Sequence, residues 1–187
     1  MSYLVLARKW RPKLFNEVVG QQHVVQALQN SILNKKINQA YIFNGTRGVG
    51  KTSIARILTK VLNCKNPKNG EPCNECDQCL AMNENSLLDF QEIDAASRRS
   101  REETMNLLET VPYLPTSSKY KVYLIDEVHM LTKESFNALL KTLEEPPPHV
   151  IFMFATTEIE KVPPTILSRC LQSVSYTHLR AHETASD

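Results

Sequence analysis

The sequence predicts an α/β fold in which a parallel sheet is flanked by helices. Short apolar runs of strand length alternate along the chain with longer segments whose apolar residues recur at helical spacing. Strands that alternate with helices pair in parallel, because each helix carries the chain back across the sheet. The predicted strands cover 40–43, 87–93, 121–125 and 150–154, and the predicted helices cover 21–33, 51–62, 102–111 and 133–143.

In the first half of the chain, the stretch up to Gly20 has mixed composition and predicts irregular structure. Val24, Leu28 and Ile32 place an apolar stripe along one face of the first helix. The first strand is an apolar run that ends in a glycine-rich turn, and the second helix repeats the same apolar spacing. Segment 63–83 is rich in Cys, Pro, Gly and Asn with little periodicity, so we interpret it as an inserted module.

In the second half, the strand at 121–125 is strongly apolar and β-branched, as expected of a buried strand. The helix after it carries Phe136, Leu139 and Leu143 at helical spacing, and the proline run that begins at Pro146 ends it. Periodicity is lost from Ser173 onward.

Composition restricts the class of protein. Hydrophobic residues make up 42% of the 187 residues and charged residues 22%, which is typical of a globular domain. A net charge of +2 argues against binding nucleic acid by bulk charge alone. No run approaches the roughly 20 apolar residues of a membrane span, and residues 1–10 lack the long apolar core that a signal peptide would have. We therefore expect a cytoplasmic protein whose five cysteines are thiols or metal ligands rather than disulfides.

Residues 45–52 fit the phosphate-binding loop G-x-x-x-x-G-K-[ST], with a predicted strand before it and a helix after it. Glycines let backbone N–H groups wrap phosphates, and the helix directs its positive end at them. Lys51 would contact the β- and γ-phosphates of ATP, and Thr52 would ligate Mg²⁺. The alternative is a chance glycine-rich turn. The predicted ATP-contacting residues here are Gly45, Thr46, Arg47, Gly48, Val49, Gly50, Lys51, Thr52 and Ser53.

An acidic pair, Asp126 and Glu127, directly follows the strand at 121–125. In a parallel sheet this is the carboxyl edge, where ligands bind. Asp126 would hold Mg²⁺, and Glu127 would orient or deprotonate the attacking water. The alternative is a solvated acidic pair that begins a turn.

Four cysteines have the spacing C-x8-C-x2-C-x2-C. Four soft thiolates favour tetrahedral Zn²⁺, and the few apolar residues around them could not fold by burial alone. With no open position and no added carboxylate, the predicted role is structural. An iron–sulfur cluster and free thiols remain alternatives. The predicted zinc ligands are Cys64, Cys73, Cys76 and Cys79.

Together these motifs resemble the gamma/tau subunits of bacterial DNA polymerase III, the AAA+ ATPases of the clamp loader. The resemblance covers residues 1 to about 172 and makes the fold an AAA+ P-loop NTPase with an inserted zinc module. Its specific segments, besides the loop and the cysteines, are 6–12, 126–131, 136–147 and the Ser-Arg-Cys triplet at 168–170.

The resemblance also assigns residues that their own pattern does not. It makes Thr157, rather than Thr156, the polar sensor of the γ-phosphate. It makes Arg169 an arginine finger that reaches the ATP of a neighbouring subunit, whereas alone it would read as a surface arginine. Cys170 is expected to be packed rather than metal-bound. The implied adenine pocket comprises Ala7, Arg11, Pro12 and Val19.

The implied function is that of an ATP-hydrolysing clamp-loader subunit of DNA polymerase III, a DNA-directed DNA polymerase. It would load the sliding clamp onto primer–template DNA, using ATP, Mg²⁺ and Zn²⁺. The implied partners are delta, delta-prime, further gamma/tau copies in a ring, the clamp and primer–template DNA, with no membrane. The implied location is the nucleoid-associated replisome in the cytoplasm.

The resemblance divides the chain into two parts. Residues 1–172 would form ATPase domain I, with the zinc insert at 63–83. The lid and collar domains that follow in the family have no counterpart here. Residues 175–187 match nothing in the family, and 173–187 are expected to be a non-native tail.

Three rival functions remain. One is another AAA+ machine, such as a Holliday-junction motor or a replication initiator, against which the cysteine insert and the Glu144–Pro147 segment speak. Another is a catalytically silent scaffold such as delta-prime, against which the intact loop and acidic pair speak. The third is a zinc-dependent nucleic-acid-binding module with a vestigial ATP fold.

Overall fold

A computed structural model describes residues 11–97 and 100–174 of the chain. Within them lies one five-stranded sheet with the strand order β2-β3-β4-β1-β5, and every pair is parallel. The predicted fold class is therefore confirmed. The strands are β1 (Ala40–Asn44), β2 (Phe90–Asp94), β3 (Lys121–Asp126), β4 (Val150–Thr156) and β5 (Leu171–Val174).

Helices connect and cover these strands. The helices are α1 (Gln22–Leu33), α2 (Lys51–Asn63), α3 (Asp77–Asn83), α4 (Ser100–Thr110), α5 (Lys133–Glu144) and α6 (Pro164–Leu167). Short 3₁₀ turns lie at Phe15–Glu17, Val128–Met130 and Ile159–Lys161. No helix in the described part of the chain is both long and apolar enough to cross a bilayer.

The sheet is buried on both faces, because successive side chains of a strand point to opposite sides. On β3, Val122 and Leu124 belong to a core cluster with α1 and α2, while Tyr123 and Ile125 belong to a second cluster with α4, α5 and α6. All four of these side chains are fully buried. Burial on both faces explains why β3 is apolar throughout rather than alternating.

The register brings the carboxyl ends of four strands to one edge. Asp94 pairs with Asp126 across β2 and β3, and Asn44 pairs with Thr156 across β1 and β4. The phosphate loop leaves β1 at this edge, so the loop and the acidic pair lie close together.

Several element ends differ from the sequence predictions by one or two residues, and three larger differences bear on the organisation of the chain. Strand β2 begins at Phe90 rather than at residue 87, because the side chain of Asp89 binds the loop at 116–118. Segment 63–83 contains helix α3, where regular structure was not expected. Strand β5 continues to Val174, two residues past the boundary set at 172, and residues 175–187 lie outside the described part.

The stretch before Gly20 also contributes to the core. Phe15 lies on a 3₁₀ turn and is 1% exposed, and Val18 is buried beside it. Both side chains pack in the cluster formed with α1 and α2. Residues 15–18 therefore pack in one core with helix α2, which follows the phosphate loop.

Candidate nucleotide and zinc sites

The phosphate loop runs from the end of β1 into the first turn of α2. Gly48 and Gly50 have φ of 85° and 91°, a left-handed conformation that only glycine adopts freely. The Gly45 N–H donates to the Thr156 carbonyl at 3.2 Å, which ties the loop to the end of β4. Thr46, Arg47 and Gly48 are exposed, and Val49 and Ser53 are half-buried. The loop thus presents backbone N–H groups and a helix N-terminus on one side.

Lys51 begins helix α2, and its side chain turns into the loop. It is 6% exposed, and its Nζ donates to the carbonyls of Gly45 at 2.8 Å and Thr46 at 2.9 Å. Burial lowers the pKa of Lys51, while the charges of Glu127 and Asp126 act to raise it. The ammonium group is therefore held between the loop and the acidic pair.

Thr52 and Asp126 form the oxygen pair that a magnesium ion would need. Thr52 Oγ1 donates to Asp126 Oδ2 at 2.8 Å. Adjacent ligands of an octahedral Mg²⁺ with bonds of 2.0–2.1 Å lie about 2.9 Å apart. The two residues therefore fit a Mg²⁺ site between the loop and β3.

Glu127 follows Asp126 in an unusual conformation. Its φ and ψ are 50° and 45°, left-handed values for a residue with a side chain, and its N–H donates to Asp126 Oδ1 at 2.9 Å. Its Oε2 accepts a hydrogen bond from Thr157 Oγ1 at 3.1 Å. Thr156 is fully buried, and its hydroxyl lies 2.9 Å from His129 Nδ1 instead. Of the two threonines, Thr157 is the one that contacts the acidic pair.

The residues of the expected adenine pocket do not all come together. Ala7 lies outside the described residues. Arg11 and Pro12 line a cleft of about 900 Å³ that reaches Asp126 and also includes Arg56 of α2. Val19 is 88% exposed and is not among the lining residues of this cleft.

Arg169 lies just after α6, away from the phosphate loop of its own chain. Its Nη2 donates to Glu144 Oε1 at 2.9 Å, and its Nη1 donates to the Thr165 carbonyl at 2.7 Å. These contacts use two of the five N–H donors of a guanidinium group. Cys170 beside it packs against the core, and burial raises its pKa to about 12.

The four-cysteine cluster forms as its spacing predicts. The sulfur atoms of Cys64, Cys73, Cys76 and Cys79 all lie within 4.8 Å of one another. Cys73 Sγ and Cys79 Sγ are 3.9 Å apart, close to the roughly 3.8 Å edge of a tetrahedron with Zn–S bonds of 2.3 Å. The cluster therefore fits a tetrahedral metal ion, and Cys170 lies outside it.

The protonation chemistry of the cluster also favours a cation. Backbone N–H groups of Glu75 and Cys76 lower the pKa of Cys73 to about 6, whereas burial raises the pKa of Cys64 and of Cys79. Without a positive charge nearby, the raised pKa values of Cys64 and Cys79 would keep these two thiols protonated. A bound metal ion offsets this cost, because it stabilises thiolates directly.

His129 and Glu158 are site residues to which the sequence patterns gave no role. The His129 side chain is 5% exposed, and its Nε2 lies 3.3 Å from Glu158 Oε1. His129 stands two positions after the predicted site residue Glu127, and Glu158 directly follows the predicted site residue Thr157. The only signal in the sequence was the position of His129 inside the recognised segment 126–131.

A parallel sheet with a phosphate loop after β1, an acidic pair after β3 and a polar residue after β4 defines a P-loop protein of the AAA+ class. Solved structures share this fold. A gamma subunit-related DNA polymerase III protein of Thermotoga maritima has a TM-score of 0.54 at 20% identity, over 82% of this chain and 46% of that one. The RuvB Holliday junction branch migration motor of T. maritima has a TM-score of 0.54 at 18% identity, over 89% and 48%.

Sequence comparison identifies the family within this class. A family profile described as DNA polymerase III, delta subunit, matches residues 20–177. The tau/gamma subunit of Haemophilus influenzae DNA polymerase III is 57% identical over 97% of this chain, and the tau subunit of Escherichia coli is 58% identical over 97%. The chain belongs to the family of this profile, and these two relatives of it are tau/gamma subunits of DNA polymerase III. It spans 26% and 28% of the length of these two relatives.

Proposed function

We propose that this chain binds and hydrolyses ATP as a tau/gamma subunit of the clamp loader of DNA polymerase III. The observation that carries the proposal is the 2.8 Å contact between Thr52 Oγ1 and Asp126 Oδ2, beside the phosphate loop. It joins a helix N-terminus suited to phosphates with a carboxylate suited to Mg²⁺. Family membership supplies the biological setting, in which the chain helps to load the sliding clamp onto primed DNA.

Each residue of the site has a distinct part in the proposed reaction. Lys51 binds the β- and γ-phosphates in exchange for its bonds to the carbonyls of Gly45 and Thr46. Thr52 and Asp126 would hold Mg²⁺, which neutralises charge on the phosphates when bound. Glu127 orients the attacking water and accepts its proton. Thr157 senses the γ-phosphate through the hydroxyl that now bonds Glu127.

Arg169 is proposed to act on the ATP of the next subunit. The contacts of its guanidinium group lie on α5 and α6, and its side chain is 33% exposed. An arginine supplied in this way stabilises charge on the transferring phosphoryl group and is worth about 10³–10⁵ in rate. Turnover would therefore depend on a ring in which each finger serves its neighbour.

The remaining assignments follow from the family and the cysteine cluster. The cluster is proposed to hold a structural Zn²⁺, because all four positions of a tetrahedral ion would be filled by protein. Arg11, Pro12, Val19 and Ala7 are proposed to surround the adenine. The proposed partners are delta, delta-prime, other tau/gamma copies, the sliding clamp and primer–template DNA, at the cytoplasmic replisome. One ATPase domain is proposed to run from residue 1 through the end of β5 at Val174, two residues past the expected boundary at 172, and the non-native tail is proposed to follow it.

ATP binding tests the proposal first. Lys51→Ala should weaken binding of a fluorescent ATP analogue at least about 100-fold, because a buried ammonium–phosphate contact is lost. Lys36→Ala removes an exposed lysine and should bind as the unaltered chain does. Unchanged affinity in Lys51→Ala would favour a nucleic-acid-binding module with a vestigial ATP fold.

The same assay separates binding from turnover. Arg169→Ala should bind ATP normally as a single chain, and should lose about 10³-fold in hydrolysis once assembled with the other subunits. Loss of ATP binding by the single chain would instead place Arg169 in its own nucleotide site and would contradict its action on a neighbour.

A further inference from the structure

We propose that His129 is a positioning residue for Glu127, and that it holds the carboxylate through its Nδ1 edge. The inference rests on the proposed function, because it concerns how the proposed base is held. It assigns His129 no contact with the nucleotide. Its role would be to fix one oxygen of Glu127 so that the other is directed at the attacking water.

The position of His129 is closely determined. It lies on the 3₁₀ turn Val128–Met130, whose first hydrogen bond runs from the Met130 N–H to the Glu127 carbonyl at 2.8 Å. Only 5% of its side chain is exposed. A ring buried on a tight turn has few alternative rotamers, so its two nitrogen atoms keep fixed directions.

The ring stands between two carboxylates. Its Nδ1 lies 3.5 Å from Glu127 Oε2, and its Nε2 lies 3.3 Å from Glu158 Oε1. A ring nitrogen that carries a hydrogen donates toward the carboxylate it faces, and the tautomer decides which nitrogen that is. On the Glu158 side, Lys161 forms a second ion pair with the same carboxylate. Glu158 thereby anchors the far edge of the ring.

Two groups converge on the same oxygen of Glu127. Thr157 Oγ1 donates to Oε2 at 3.1 Å, and His129 Nδ1 approaches Oε2 from the turn. The Thr157 hydrogen bond fixes this oxygen, and the buried His129 ring beside it limits rotation of the carboxylate toward the turn. Among the described residues, both contacts of the Glu127 carboxylate fall on Oε2, which leaves Oε1 for the water, as a general base requires.

His129 also connects the base to the phosphate loop. Its Nδ1 lies 2.9 Å from the hydroxyl of Thr156, and that hydroxyl accepts the Glu158 N–H at 3.1 Å. The carbonyl of the same Thr156 accepts the N–H of Gly45 at 3.2 Å. A shift of the ring would therefore disturb the contacts of both Glu127 and Gly45, the first glycine of the loop.

Three variants at this position test the proposal in the assembled ring. Asn at position 129 keeps a donor near Nδ1, whereas Gln keeps one near Nε2 and is closer to histidine in volume. We expect His129→Ala to lower kcat about 10–100-fold with ATP affinity nearly unchanged, since small misplacement of a catalytic group has costs of this size. His129→Asn should recover most of the rate, and His129→Gln should resemble His129→Ala.

Other outcomes would overturn the proposal. They are a His129→Ala rate within about two-fold of the original, a parallel loss of ATP binding, or recovery by Gln as good as by Asn, which would indicate space filling alone. Glu127→Gln separates this failure from failure of the proposed function. If Glu127→Gln keeps full turnover, the hydrolytic assignment itself is wrong. If it abolishes turnover, the His129 variants alone decide the positioning role.

Discussion

At the scale of single residues, Asp89 shows how one buried carboxylate organises a loop. It is 1% exposed and accepts backbone N–H bonds from Thr116, Ser117 and Ser118 at 2.7, 2.9 and 2.9 Å. Burial acts to raise the pKa of Asp89, but these hydrogen bonds outweigh it and hold the pKa below the ordinary value. The ionised carboxylate is therefore the form that stabilises the folded chain.

We expect Asp89→Asn to lower the free energy of unfolding at pH 7 by about 2 kcal/mol, because charged hydrogen bonds are lost and an amide N–H₂ faces backbone donors. A carboxyl group whose folded pKa is depressed contributes stability above its unfolded pKa and loses it as the pH falls through the folded one. The difference from the unaltered chain should thus be full above about pH 5 and shrink below about pH 4. Urea unfolding at several pH values measures it.

Glu84→Gln is the matched control for this change, because Glu84 is an exposed carboxylate. It should alter the free energy of unfolding by less than about 0.5 kcal/mol at every pH. A difference between Asp89→Asn and the unaltered chain that stays constant from pH 7 to pH 3 would show that the carboxylate charge is not the stabilising feature.

Some site residues could be predicted from short local sequence motifs, and others could not. Lys51, Thr52, Asp126 and Glu127 were predicted because each follows a strand or begins a helix at a fixed spacing. Their mutual contacts then follow from the parallel register. The role proposed for His129 was not predicted, since its partners Thr156 and Glu158 lie nearly thirty residues further along the chain and no spacing rule links them.

At the scale of elements, the cysteine module is fastened to the body of the protein by helix α3. Gln78 of α3 donates to the Ser117 carbonyl at 3.0 Å and accepts from the Ser118 hydroxyl at 2.8 Å. Lys60 of α2 donates to Asn83 at 2.9 Å at the other end of the helix. Helix α3 therefore contacts the loop held by Asp89 and also contributes Cys79 to the cysteine cluster.

Helix α3 escaped prediction because its seven residues make fewer than two full turns, too short for a periodic pattern. Its N-cap residue Cys76 belongs to the cluster, so the metal site rather than apolar periodicity accounts for the position of the helix. The long helices α2 and α5 were predicted within a residue or so at each end, because their apolar stripes extend over three turns.

We expect Cys76→Ser to release the metal and loosen this module. The unaltered chain should contain about one zinc per chain by elemental analysis, and the variant much less. Amide hydrogen exchange should rise over 64–83 and also at 116–118, because Gln78 joins the two segments. Cys170→Ser should keep its zinc, since Cys170 lies outside the cluster. Iron in place of zinc would contradict the structural-zinc proposal.

At the scale of the whole molecule, the faces of the sheet and its carboxyl edge have different roles. Its two faces are filled by apolar side chains and contribute stability. Its carboxyl edge gathers the phosphate loop, Asp126, Glu127 and Thr157 from three strands. Arg169 lies apart from this edge, with its contacts on α5 and α6. A complete catalytic site therefore needs a second subunit in the proposed account, and ATP binding becomes a signal between subunits.

The order of helices and strands could be predicted from the sequence, because their alternation restricts a parallel sheet to few topologies. The adenine pocket could not be traced in the same way, because Arg11 and Pro12 line a cleft with α2 whereas Val19 is exposed outside it, so its residues stay a proposal. The direction of a loop side chain depends on packing against distant elements, so periodicity in the sequence does not predict it.

A crystal structure of the chain with Mg²⁺ and a non-hydrolysable ATP analogue tests the central claim most directly. The account predicts the triphosphate in the loop between β1 and α2, Lys51 Nζ turned from the carbonyls of Gly45 and Thr46 to the phosphates, and Mg²⁺ on the side of Thr52 and Asp126. An analogue bound elsewhere, or a loop in which Lys51 keeps its present contacts while the nucleotide is bound, would contradict it.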